Sequence, residues 1–162
     1  MLLELDYKGA PMKLVYELSK ALEKKPERVT LAQALTLDPS RPMMGLKGTC
    51  GLFGSKEWWL NISQKKMPLV FVSGIIRRTY FAGHDKPSQH NTVELLTREG
   101  SVVDVGIYVN DRNDVSLFKV GRGVKVVYAL DELKKQPAPD GGVNYAETAI
   151  EMAVSLENDV GR

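Results

Sequence analysis

The sequence predicts an α+β fold in which an antiparallel β-meander of five to six strands closes into a small barrel, flanked by N-terminal helices and a C-terminal helix. Three observations predict it. Val103, Val105, Ile107 and Val109 alternate with Asp104, Gly106 and Tyr108, the period-two pattern of a half-buried strand. Short polar or Gly-containing breaks, at Glu99-Gly100, Asn110 to Asp114 and Gly121-Arg122-Gly123, separate apolar runs and force neighbours to run antiparallel. Apolar residues recur at helical spacing towards both ends of the chain.

From the N-terminus, Leu14, Val15, Leu18, Ala21 and Leu22 follow Pro11, with Glu17, Lys20 and Glu23 to Lys25 on the opposite side, so an amphipathic helix is expected that Pro26 stops. Thr30 and Gln33 stand at capping-box spacing for a second short helix ending before Pro39. Its residues Leu31 to Leu37 are nearly all apolar or small, which suits core packing and not the reading of DNA bases. Residues 1–40 are thus read as a helical N-terminal segment. Pro39, Pro42, Gly45, Gly48, Gly51 and Gly54 make residues 38–56 a loop. Glu57 to Ile62 suits a strand or a short helix, and the paired tryptophans favour the strand.

The barrel body is expected over residues 56–130. Val70 to Ala82 reads as a long strand, Val93 to Arg98 as the next, the alternating run to Val109 as a third, Val115 to Val120 as a fourth and Val124 to Ala129 as a fifth. The phrase Val120-Gly121-Arg122-Gly123-Val124-Lys125-Val126 resembles the Gly turns of small barrels of the oligonucleotide-binding or SH3-like kind. The break from Asn110 to Asp114 is too short for the helix of an oligonucleotide-binding barrel, which leaves an SH3-like or up-and-down arrangement. Pro137 to Gly142 reads as a linker. Beyond it Asn144 and Glu147 are placed to cap a C-terminal helix over residues 143–158, with Ala146, Ala149, Ile150, Ala153 and Val154 as its apolar stripe. Exchange of that helix between copies is an economical route to a homodimer.

With 162 residues the chain matches one domain, and 43% hydrophobic with 26% charged residues argues against disorder and against a membrane protein. The net charge of +2 supplies no global field for a duplex nucleic acid. Cys50 is the only cysteine, so an intramolecular disulfide is impossible and a reducing compartment is expected. Glu4 and Asp6 stand where a secretory signal would be basic and then apolar. The longest apolar run, from Leu69, is broken at Ser73-Gly74 and ends at Arg77-Arg78, short of the roughly 20 residues of a membrane helix. A cytoplasmic protein with no membrane contact is the expectation.

Few residues carry recognisable chemistry. His84, Asp85 and His90 have the composition of a two-histidine, one-carboxylate site but lack the helical spacing that aims both rings at one ion, so a solvated loop is favoured and neither metal nor cofactor is expected. Cys50 lies in Gly48-Thr49-Cys50-Gly51, where an inert, packed thiol is favoured over a nucleophile. The phosphate-loop and nucleophile-elbow patterns are not met. Trp58, Trp59, Tyr80, Phe81 and Tyr108 with Lys65, Lys66, Arg77, Arg78 and Lys86 are the ingredients of a single-stranded nucleic-acid platform, but Glu94, Glu99 and Asp104 intrude on the same strands. The leading reading is therefore a non-enzymatic binding or assembly module for a protein or small ligand. Its candidate contact residues are Trp58, Trp59, Arg77, Arg78, Tyr80, His84, Asp85 and His90. The alternatives are a single-stranded nucleic-acid binder and a small enzyme with a site around residues 83–91.

Overall fold

A computed structural model describes residues 1–83 and 90–158. Its elements are β1 (Asp6–Tyr7), β2 (Ala10–Glu17), α1 (Leu18–Lys24), α2 (Glu27–Leu37), α3 (Lys56–Ser63), β3 (Leu69–Tyr80), β4 (Thr92–Leu96), β5 (Val102–Gly106), a 3₁₀ helix (Arg112–Leu117), β6 (Arg122–Glu132) and β7 (Tyr145–Asn158). Seven strands form one sheet in the order β1-β2-β7-β6-β3-β4-β5. The pairs β1/β2, β2/β7, β3/β4 and β4/β5 are antiparallel. Bonds from Gly121 to Ile76 and from Leu130 to Pro68 show the same sense for β6 on β3. The sheet is open, with β1 and β5 as its edges, so the expected barrel does not form. The meander holds for β3-β4-β5; β6 then returns to the other side of β3, and the sheet grows outward from there instead of closing.

The chain divides into two compact units. The first comprises Met1–Glu17, Phe71–Val127 and the chain from Glu151 on. In β4, Val93 and Leu95 are fully buried while Glu94 and Leu96 point away, the alternation of a strand with one covered face. β7 is buried without interruption from Ala149 to Ser155, as a strand covered on both faces must be. That run is why the expected C-terminal helix is a strand. Ala149, Ile150, Ala153 and Val154 match a helical stripe, but Met152 and Ser155 between and beyond them are equally buried, and periodicity cannot separate the two states in an all-buried run. A dimer built on exchange of that helix loses its basis with it.

The expected first helix is also part strand. β2 pairs with β7 from Met12↔Ser155 to Glu17↔Glu151, with a register shift between Leu14 and Tyr16. The shift buries Val15 and Tyr16 side by side, and two adjacent buried residues imitate the i, i+3, i+4 spacing of a helix. Only Leu18–Lys24 is helical. The expected fourth strand is the 3₁₀ helix, which Asp111 opens by accepting the Asn113 N–H on its side chain at 2.9 Å.

Gly123 on β6 admits the ring of Tyr7, and a Cβ there would stand 2.7 Å from both Cδ atoms of that ring. Tyr7 is only 8% exposed, so its ring has little room to yield. Gly123→Ala is expected to lower stability by about 1–3 kcal/mol, read as a shift in the urea midpoint at constant slope. The same substitution in a Tyr7→Ala background is expected to cost far less; equal costs in both backgrounds would show that the contact is not responsible.

The second unit comprises Leu18–Val70 and Tyr128–Ile150. Residues 57–62, favoured as strand, are helical: Ser55 caps α3 by accepting the Trp58 N–H at 3.2 Å, and this cap outweighs the strand preference of two tryptophans. α2 forms as expected, but no side-chain cap opens it and none of its residues is buried, so it is not the core helix the sequence suggests. Leu31 and Leu37 are 68% and 67% exposed. Lys134 ties down the end of α2, its ammonium donating to the carbonyls of Leu35, Asp38 and Arg41 at 2.6, 3.3 and 3.0 Å, and Gln33 Nε2 donates to the Phe53 carbonyl at 2.9 Å. No helix among the described residues is long and apolar enough to cross a membrane.

Candidate protein-interaction face

The uncovered face of β3, β4 and β5 belongs to the first unit and is set by register. Ile75↔Leu96 and Leu96↔Val102 make one row across the three strands, and Arg78↔Glu94 and Glu94↔Asp104 make another. Period two places Phe71 and Ser73 on the same side as Ile75. Phe71, Leu96 and Val102 are 53%, 40% and 46% exposed, so one end of this face is apolar although it lies on ordered strands. A second register shift, between Ile76 and Arg78, exposes Arg77 together with Arg78 at the other end.

The charged end is internally matched. Arg78 Nε donates to Glu94 Oε2 at 3.1 Å, and Arg77 Nε lies 3.9 Å from Oε1 of the same carboxylate. The Arg78 guanidinium also covers the Tyr80 ring, 4.4 Å from its centroid. Tyr80 has its hydroxyl pushed above the usual phenol range by desolvation first and by the Asp104 carboxylate next. The row Arg78-Glu94-Asp104 would set two carboxylates opposite each other; the two arginines compensate this. Arginines already engaged by Glu94 have less to offer a phosphate backbone, and arginine, tyrosine and apolar side chains side by side are the composition of a protein interface.

The other candidate residues are distributed over both units. His90 is exposed, with Nδ1 2.6 Å from Thr79 Oγ1. His84 and Asp85 lie outside the described residues, as does Lys86. Tyr108 packs on Tyr16 with ring centroids 5.5 Å apart. Trp58 and Trp59 stand in the second unit. Trp58 is fully buried, against Phe53 and Trp59, and its Nε1 donates to Asp131 Oδ2 at 2.9 Å. Asp131 is itself buried, and its Oδ1 has no hydrogen-bond partner among the described residues. Burial holds its carboxyl above the usual carboxylate range, the Trp58 bond works against the shift, and Glu132 adds to it. Cys50 is half-buried and its thiol is pushed up, by desolvation first and then by Asp131, Glu132 and Glu57, which works against a thiolate. Among the described residues no three His, Cys, Asp or Glu side chains are grouped as metal ligands.

Sequence reasoning found Arg77, Arg78 and Tyr80 but not Phe71, Leu96, Val102 or their acidic neighbours as parts of one face. Phe71 sits in an apolar run that reads as buried, and Glu94 and Asp104 become partners of the arginines only once the register is known.

Residues 12–155 match the family model described as Immunity protein RhsI2. The chain belongs to this immunity-protein family. The matched span takes in the whole of β3, β4 and β5, and with them the face just described. No curated protein matches the chain. Membership in the RhsI2 family agrees with the binding-module reading of the sequence and favours a protein over a small ligand as what is bound.

Proposed function

We propose that this RhsI2-family chain is an immunity protein in the literal sense: it binds a toxin protein and blocks it by occupancy, with no bond made or broken. The family match over residues 12–155 carries the proposal. The open face of β3-β4-β5 supports it as the contact surface, because an apolar row of Ile75, Leu96 and Val102 beside an arginine pair supplies both a desolvated centre and a charged rim.

The test mixes the purified chain with the toxin domain it is proposed to block. Gel filtration is expected to show a one-to-one complex, calorimetry an affinity in the nanomolar range, and the toxin's activity is expected to fall in proportion to complex formed. Leu96→Asp and Val102→Asp, both at exposed positions, are expected to weaken the complex at least tenfold while lowering stability by no more than about 1 kcal/mol. Toxin activity unchanged by a stoichiometric excess of wild-type chain would refute the proposal.

A further inference from the structure

The sheet has two open edges, β1 and β5, and they are unlike. β1 is 2 residues long, too short to offer a partner strand a ladder. β5 is 5 residues long, pairs with β4 from Thr92↔Gly106 to Leu96↔Val102 without a register shift, and carries neither proline nor lysine. A bulge, a proline or a lysine is the usual means of blunting an edge, so β5 is the edge left open to pairing. Its outward row of backbone groups follows from the ladder. The Ser101 carbonyl accepts the Thr97 N–H at 2.9 Å, and the Ile107 N–H donates to the Asn91 carbonyl at 2.8 Å. Backbone groups alternate in direction along a strand, so those of Val103 and Val105 face β4 as well. The N–H and C=O groups of Val102, Asp104 and Gly106 therefore point away from the sheet, and none of the described residues bonds to them.

The side chains of this edge state what fits beside it. On the open face Val102 ends the apolar row of Ile75 and Leu96, and Asp104 ends the row of Arg78 and Glu94. Both arginines turn to Glu94. The Asp104 carboxylate receives the Tyr80 hydroxyl and forms no ion pair among the described residues. A second copy of the chain, pairing antiparallel along the full length of β5, would set Asp104 opposite Asp104, where like charges repel. A different strand, with an apolar residue beside Val102 and a lysine or arginine beside Asp104, continues both rows.

We infer that β5 takes an extended segment of the toxin as an added edge strand, held by the outward backbone groups of Val102, Asp104 and Gly106, with a cationic side chain of the toxin beside Asp104. Backbone bonds give such an added strand its affinity, and the side chains at alternate positions give it specificity. The charge at Asp104 supplies choice of partner and speed of encounter. The inference rests on the toxin-binding reading above and deepens it, from the side chains of the open face to the ladder of the sheet itself.

The experiment follows amide hydrogen exchange in the purified wild-type chain, alone and saturated with the same toxin domain, and titrates Asp104→Lys, Val102→Pro and Val102→Ala into that domain. In the free chain the Val103 and Val105 amides are expected to be protected and those of Val102, Asp104 and Gly106 to exchange fast. The toxin is expected to slow the latter by about tenfold or more. Val102→Pro deletes an outward N–H and spares the ladder to β4, whereas Val102→Ala keeps that N–H. The proline variant is therefore expected to bind about tenfold more weakly than the alanine variant. Asp104→Lys is expected to bind about tenfold more weakly than wild type, and exchange of the toxin's exposed lysines and arginines for glutamate, one at a time, to yield one toxin variant that prefers Asp104→Lys to wild type. Exchange is read on the wild-type chain, so it decides the matter even if the proline variant fails to fold. Toxin binding with the Val102, Asp104 and Gly106 amides exchanging as in the free chain would overturn the inference and leave the toxin-binding reading standing. Asp104→Lys binding within about threefold of wild type would overturn it as well, since no cation would then meet that carboxylate. No binding by the wild type would overturn both readings. Protection of these amides in the chain alone, rising with its concentration, would assign the edge to a second copy and overturn the inference too.

Discussion

Trp58→Ala is expected to destabilise the protein by about 4 kcal/mol, the usual scale for removing a fully buried indole. Two losses combine. The ring packs on Phe53 and Trp59 at centroid distances of 4.9 and 5.0 Å, and its Nε1–H is the hydrogen bond that Asp131 receives in a site where the carboxylate is 1% exposed. Trp58→Phe separates them, keeping most of the ring and removing the donor, and is expected to cost about 1–3 kcal/mol. Its dependence on pH identifies the cause. The folded-state carboxyl of Asp131 titrates above the 3.8 of an unperturbed aspartate, so between that value and the raised one the folded state holds more protons than the unfolded state. Stability from this group is therefore greatest below the unfolded value and declines as pH rises through the window. The Trp58 bond opposes the shift, so losing it widens the window, and the cost of Trp58→Phe is expected to grow from pH 4 to pH 7. Asp131→Asn, which removes the titrating charge, is expected to flatten that trend. Denaturant titrations of the three variants across this range check it; an equal cost of Trp58→Phe at both ends would exclude coupling between the indole and a charged Asp131.

The same residue shows why part of the fold was legible and part was not. Ser55 and Asp111 cap α3 and the 3₁₀ helix, and the sequence reading passed over both because a strand-like run follows each. The strands β4 and β5 were legible because one of their faces is open and the alternation survives. β7 was not, because its middle is buried on both sides, and β2 was not, because its register shift breaks the alternation at Val15-Tyr16. Pairing of Met12 with Ser155 joins the two ends of the chain, which no local pattern announces. The candidate site follows the same rule. Arg77, Arg78 and Tyr80 are visible as residue types, whereas their balance by Glu94 and Asp104 is a property of register. Leu2 and Leu3 likewise line one cavity with Phe71, a proximity that no local pattern announces.

Glu151→Ala is expected to release the N-terminal segment at Leu2 and Leu3 and to lower stability by about 3 kcal/mol, from the loss of charge-assisted bonds to two backbone donors. Leu2 N–H donates to both carboxylate oxygens, at 3.0 and 3.1 Å, and Leu3 N–H donates to Oε1 at 2.9 Å. Glu151 is only 7% exposed and stands opposite Glu17 in the β2/β7 ladder, where like charges repel. A carboxylate in that position is held by the two N–H groups and not by its cross-strand neighbour. Glu151→Gln is the sharper test, since it keeps the size but turns one acceptor into a donor facing backbone N–H groups. Hydrogen exchange at the Leu2 and Leu3 amides is expected to accelerate in both variants while the β4 amides stay protected. Unchanged exchange at Leu2 and Leu3 would show that the carboxylate does not hold the segment.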